Sequence, residues 1–149
     1  MNPPNGLDAI KALFGDPSAP GFEEANIISF DLPYPLVYGT AMVRRTRCHK
    51  LMVPVFQEAL AEVKSEGFAD RASHYGGIYA QRPIRGTKSG RLSTHSWGIA
   101  IDLNPAQNAL GTFGRMHPAI IAIMGRHGFL WGGYFKRRDQ MHFQYATGY

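Results

Sequence analysis

The side chains able to do chemistry concentrate in two short stretches. The first is Ser93-Thr-His-Ser-Trp-Gly-Ile-Ala-Ile-Asp102, which sets His95 and Asp102 seven residues apart with Trp97-Gly98 between them. In a straight strand, side chains alternate faces, so an odd separation would point the two ligands in opposite directions. Both can reach one ion only if the backbone bends between them, and Gly98 is the residue that permits a bend or bulge. Beyond Gly98 the pattern turns regular. Ile99, Ile101 and Leu103 are expected on a core face, and Ala100 and Asp102 on the other, where a small Ala leaves room beside the carboxylate.

The second stretch is Asp139-Gln-Met-His142-Phe-Gln, read as a loop end running into a strand. His142 would complete a His, Asp, His set. Catalytic zinc commonly takes three N/O ligands from protein and keeps one position open for water. Asp139, three residues before His142, is close enough to act on that water. Asp102 lies in an apolar strand, where an unpaired carboxylate is costly and a bound cation or a buried salt bridge would remove the cost. A different reading of the first stretch makes Ser93, His95 and Asp102 a serine triad. No nucleophile elbow accompanies them, and a chelator separates the two readings, because a serine enzyme would keep its activity.

The pattern SxHxxGxAxD followed by a distal acidic-x-x-His resembles the zinc peptidases of peptidoglycan. These comprise the D-Ala-D-Ala carboxypeptidases and dipeptidases and the L-alanyl-D-glutamate endopeptidases, which include many phage endolysins. Ser93, His95, Gly98, Ala100, Asp102 and His142 fill the fixed positions, with Asp139 as the acidic residue where many members carry Glu. Tyr75 to Gly86 and Gly128 to Gly133 are similar to the corresponding segments of the phage-type branch. The resemblance covers the chain from about Tyr75 onward and the N-terminal half only loosely.

The resemblance implies a Zn2+ cofactor held by His95, Asp102 and His142, with Asp139 moving the proton of the attacking water. A guanidinium can stabilise the negative charge of the tetrahedral intermediate. Arg82 best matches the family's arginine, and Arg85 is the runner-up. Ser93, Arg85 and Trp131 are the candidate substrate contacts. The expected substrate is the peptidoglycan stem peptide, cut between L-Ala and D-Glu, since trimming free D-Ala ends would not dissolve a cross-linked wall. The alternatives are a D-Ala-D-Ala carboxypeptidase and a non-catalytic zinc-containing binding module of the same fold. Asp139 and Arg82 argue against the last.

A length of 149 residues suits one catalytic domain with a proper core, and no separate wall-binding domain, repeat or linker is visible. No apolar run is long enough to span a membrane. The N-terminus shows no basic region followed by an apolar stretch, so no secretory signal is visible. An endolysin-type enzyme would wait in the host cytoplasm until a membrane pore releases it to the wall. The formal net charge of +5 suits solubility or attraction to an anionic wall. Specific nucleic-acid binding is not expected, because no recognition motif accompanies the charge. A monomer is expected. The lone Cys48 excludes an internal disulfide and reads as a small buried apolar residue.

The elements that must position these residues follow from periodicity and breakers. Gly6 to Phe14 predicts a short helix ending at Gly15. Asn26 to Phe30 predicts a strand broken by Leu32-Pro-Tyr-Pro35, and Ala41 to Arg47 an edge strand. The clearest helix runs from about Leu51 to Glu66, with Pro54 in its first turn and Gly67 at its end, and is expected to pack on the sheet that carries the site. Phe68 to Tyr79 predicts a strand in which Gly76-Gly77 marks a bulge or close backbone approach. Gln81 to Arg91 and Pro105 to Arg115 read as loops, Pro118 to His127 as a helix, and Phe129 to Trp131 and Met141 to Tyr145 as the last strands. Strands and helices do not alternate regularly, so the fold class is α+β with a small antiparallel sheet. Among the other histidines, His117 is placed to cap or flank a helix, and His74 is the one additional site candidate.

Overall fold

The computed structural model describes residues 1–149. Helix α1 spans Gly6–Phe14 and buries Ile10 and Phe14. A five-residue helix α2, Phe22–Asn26, follows the first loop. Strands β1 (Ile27–Tyr38) and β2 (Ala41–His49) form an antiparallel two-stranded sheet. Helix α3 (Val53–Ser65) is led in by a 3-10 turn at Lys50–Met52. The second sheet comprises β3 (Tyr75–Gly77), β4 (Ala100–Leu103), β5 (Leu130–Trp131) and β6 (His142–Gln144), in the antiparallel order β3-β4-β6-β5. Helix α4 (Pro118–Arg126) precedes β5. The architecture is the expected α+β class with antiparallel sheets.

The prolines at 33 and 35 do not break β1 as the sequence suggests. They fall where its register against β2 shifts, between the Asp31–Arg45 and Leu36–Val43 pairs. Proline has no N–H to give a ladder, and a shift of register is where none is needed. The strand expected over Phe68–Tyr79 shrinks to Tyr75–Gly77. Before it the chain coils into a 3-10 turn at Ala69–Ala72. Buried groups hold that turn: Tyr34 Oη donates to Ala72 O (2.9 Å), and Asn104 Nδ2 donates to Arg71 O (2.7 Å). These long-range bonds outweigh the local strand preference.

Helix α3 buries Phe56, Ala59, Leu60 and Val63, as its stripe predicts. It does not pack mainly on the sheet that carries the site. Its principal neighbours are β1 and α4, and Phe30 stacks on Phe56 with ring centroids 5.9 Å apart. The aromatic Phe56–Phe129 contact (5.2 Å) carries the core onward toward β5. A continuous cluster of 28 buried apolar residues runs from Ile10 to Ala146 and includes Ile99, Ile101, Leu103 and Phe143 of the site-bearing region. Cys48 is fully buried within it, and burial pushes its thiol up to about 12. No helix is long and apolar enough to cross a membrane.

Candidate metal centre

Two neighbouring strands and one turn supply the three donors. Asp102 on β4 lies directly opposite His142 on β6 in the antiparallel register. Residues so paired share a face of the sheet with their Cβ atoms about 5 Å apart. Strand β4 itself is buried along its length, and its odd-numbered side chains, Ile101 and Leu103, enter the core. His95 comes from a 3-10 turn, Thr94–Trp97, that Gly98 closes in the left-handed conformation at φ 69°. The expected bend at Gly98 is therefore present. Only glycine suits the position: it accepts a hydrogen bond from His49 N (3.1 Å), and a Cβ there would lie 2.6 Å from that same nitrogen.

The three donor atoms form a near-equilateral triangle. His95 Nε2 lies 3.1 Å from Asp102 Oδ1, His142 Nδ1 lies 3.0 Å from the same oxygen, and the two ring nitrogens are 3.2 Å apart. All three residues are buried. Ligands about 2.0–2.1 Å from a tetrahedral ion are separated by roughly 3.3 Å, so the triangle has the size a zinc ion needs. Two imidazoles and one carboxylate are also the chemistry zinc prefers.

The distal ring atoms fix which nitrogens face inward. His95 Nδ1 is 2.7 Å from Ile78 O, an atom that can only accept, so Nδ1 carries the proton and Nε2 presents a lone pair. His142 Nε2 is 3.0 Å from Gln144 Oε1 in the same relation, which leaves Nδ1 as the donor. The electrostatics favour a positive charge here. Burial opposes ionisation of Asp102, but when the inward-facing histidine nitrogens carry protons, the attraction of His95 and the hydrogen bonds they then donate outweigh it and hold the carboxyl well below the usual range. Burial likewise works against a charged His142, and Asp102 overcomes it and holds the imidazole pKa above its ordinary value. A cation replacing that proton would meet the same field.

The triangle opens into a cleft of about 240 Å³, lined among others by Arg82, Arg85, Ser93, Asp139, Arg137 and Gln144. Asp139 reaches it because its N–H bonds Gly132 O (3.0 Å) and its own carbonyl accepts from His142 N (3.1 Å). Its Oδ1 is buried and has no hydrogen-bond partner. Burial pushes this carboxyl above the usual range, with His142 opposing and Asp102 adding to the rise. Neither Arg137 nor Arg138 forms an ion pair with it. Arg82 is half-buried, and burial followed by repulsion from Arg85 lowers its pKa from its ordinary value while leaving it charged.

The other candidates divide. Ser93 caps the 3-10 turn, its Oγ accepting from His95 N (3.4 Å), and it makes no bond to a histidine ring; the serine-triad geometry is absent. Trp131 does not line the cleft. Its indole donates to Gln140 O (2.8 Å), which steadies the turn leading to His142. His74 also lies away from the cleft, with Ser73 Oγ at 3.0 Å from its Nδ1. His117 caps α4, its Nδ1 accepting from Ala119 N (3.1 Å). Arg137, Thr94 and Gln144 are polar cleft residues that the two motifs do not single out. Gln144 had a signal available, since it sits two residues after His142 on the same strand face.

Fold and site together present a buried His95–Asp102–His142 cluster whose three donor atoms could hold one metal ion. Residues 87–145 match the model of a peptidase family described as D-alanyl-D-alanine carboxypeptidase. The matched segment contains Ser93, all three metal donors and Asp139, while Arg82 and Arg85 lie just before it. No curated protein and no solved structure matches the chain.

Proposed function

We propose that the protein is a zinc-dependent peptidase of peptidoglycan stem peptides that cuts the L-Ala–D-Glu bond in the course of bacterial lysis. The observation that carries the hydrolytic reading is the buried His95–Asp102–His142 triangle beside the unpartnered Asp139 Oδ1. When bound, zinc would lower the pKa of water toward neutrality and polarise the scissile carbonyl. Asp139 takes the proton of the attacking water at Oδ1 and delivers it to the departing amine. Its raised pKa suits a group that must first accept a proton and then release it. Arg82 stabilises the negative oxygen of the tetrahedral intermediate.

Arg82, Arg85 and Arg137 all line the cleft, which supports a substrate bearing carboxylates. The D-Glu of a stem peptide offers one next to the bond, and a basic surface would hold the enzyme on an anionic wall. Ser93 and Arg85 are the substrate contacts in this reading. In the lytic role the protein stays in a bacterial cytoplasm until a membrane pore gives it access to the wall.

The family description favours a second reading, release of the terminal D-Ala. Mass spectrometry of products from defined muropeptides separates the two. The proposal requires new D-Glu amino termini. Free D-Ala without new D-Glu amino groups would make the protein a carboxypeptidase. Stoichiometric zinc with no cleavage of either bond would make it a binding module.

A further inference from the structure

Behind the metal donors, one side chain is bonded at every polar atom. Gln144 on β6 is buried, and its Nε2 donates to two backbone carbonyls, Ala146 O (3.2 Å) and Tyr149 O (3.1 Å). Those two acceptors fix the amide orientation, because a flipped amide would set its oxygen against both carbonyl oxygens. The amide oxygen therefore faces the histidine. Oε1 lies 3.0 Å from His142 Nε2 and 3.2 Å from the hydroxyl of Thr94, which donates to it. An amide oxygen can only accept, so His142 Nε2 must carry the proton, and the lone pair is left on Nδ1, 3.0 Å from Asp102 Oδ1.

We infer that Gln144 is a positioning residue: through its amide oxygen it selects the His142 tautomer and ring orientation that aim Nδ1 at the metal. The inference rests on the reading of His95, Asp102 and His142 as a zinc site. Groups that orient a ligating imidazole through its distal nitrogen commonly contribute about 10–100-fold to metal affinity. The chain end that Gln144 bonds also reaches the cleft rim, where Tyr149 Oη donates to Leu92 O (2.6 Å) and Arg91 lies 4.4 Å over the Tyr149 ring.

Two variants of the full chain separate orientation from a merely structural role. Gln144→Met keeps the bulk and removes both the acceptor and the donors. Gln144→Glu keeps an acceptor for His142 Nε2 and removes both donors to the chain end. Zinc affinity is read by competition with a chromophoric chelator, with circular dichroism as the check on folding. The expected result is a 10–100-fold weakening for Gln144→Met and an affinity within about threefold of the native protein for Gln144→Glu. Native-like affinity in a folded Gln144→Met protein would overturn the inference. So would a loss of tenfold or more in Gln144→Glu, since the tie to the chain end would then be what matters. If Gln144→Met does not fold, Gln144→Glu decides alone by the same limits. Failure of the native protein to bind zinc would instead remove the metal reading, and this binding measurement is independent of any peptidase activity.

Discussion

Asp139 is a half-buried acid whose buried Oδ1 has no hydrogen-bond partner, which a protein does not keep for stability. The proton-transfer role proposed for it predicts that Asp139→Asn retains zinc and fold while turnover falls by about 10²–10⁴-fold, the usual worth of a positioned general base. Steady-state kinetics beside metal analysis checks this, and near-native turnover in a zinc-loaded variant would take Asp139 out of the reaction. Arg82→Ala should lower kcat by about 10²–10³-fold, the cost of removing one stabiliser of transition-state charge, and Arg85→Ala by less. The reverse ranking would give the role to Arg85. Arg82 is the half-buried arginine of the two and feels Asp102 and Asp139, whereas Arg85 is exposed. At this scale the sequence was informative wherever spacing implies a face. His95, Asp102, His142 and Asp139 converge as their motifs suggest. Trp131 was less legible, because its place outside the cleft depends on a bond to Gln140 O that no local pattern encodes.

Among the elements, β3 acts on the site through a glycine. A Cβ on Gly76 would lie 2.7 Å from Asp102 Cβ, far inside contact distance. Gly76→Ala must therefore displace either β3 or the Asp102 side chain. The expected outcome is zinc binding weakened by tenfold or more in a protein that still folds, measured by chelator competition; unchanged affinity would show that β3 yields instead. The paired glycines at 76 and 77 were readable as a close approach, and the register shift between Tyr75 and Gly77 bears that reading out. The extent of β3 was not readable. Its N-terminal half is drawn into a 3-10 turn by Tyr34 and Asn104, residues far away in sequence. The prolines of β1 illustrate the opposite error, where a local breaker is absorbed by a shift in register.

Across the whole molecule, helix α3 supports the site from a distance, through β1 and α4. Helix α3 is tied to α4 by Glu62, whose carboxylate accepts from both Arg126 and His127. The hydrogen bond from Arg126, then that from His127, depresses the Glu62 pKa from 4.5 to about 2. A carboxyl depressed on folding adds stability that is fully present above its unfolded value and is lost as the pH falls through the folded one. The native protein should thus melt above Glu62→Gln at pH 5, and the difference in Tm should close as the pH approaches 2. A difference independent of pH would mean that the charge of Glu62 is not what matters. Periodicity revealed the α3 stripe but not its partner. An apolar face specifies burial without specifying against which sheet, and α3 settles on β1 and α4 rather than on the strands that hold the donors.

The central claim is that one zinc ion on His95, Asp102 and His142 enables peptide hydrolysis. It is tested most directly by titrating zinc into chelator-stripped protein while following cleavage of a muropeptide. The account predicts negligible cleavage without metal, a linear rise that breaks at about one zinc per chain, and neither tight binding nor cleavage in His142→Ala. Full cleavage by the stripped protein, or stoichiometric zinc in His142→Ala, would contradict it.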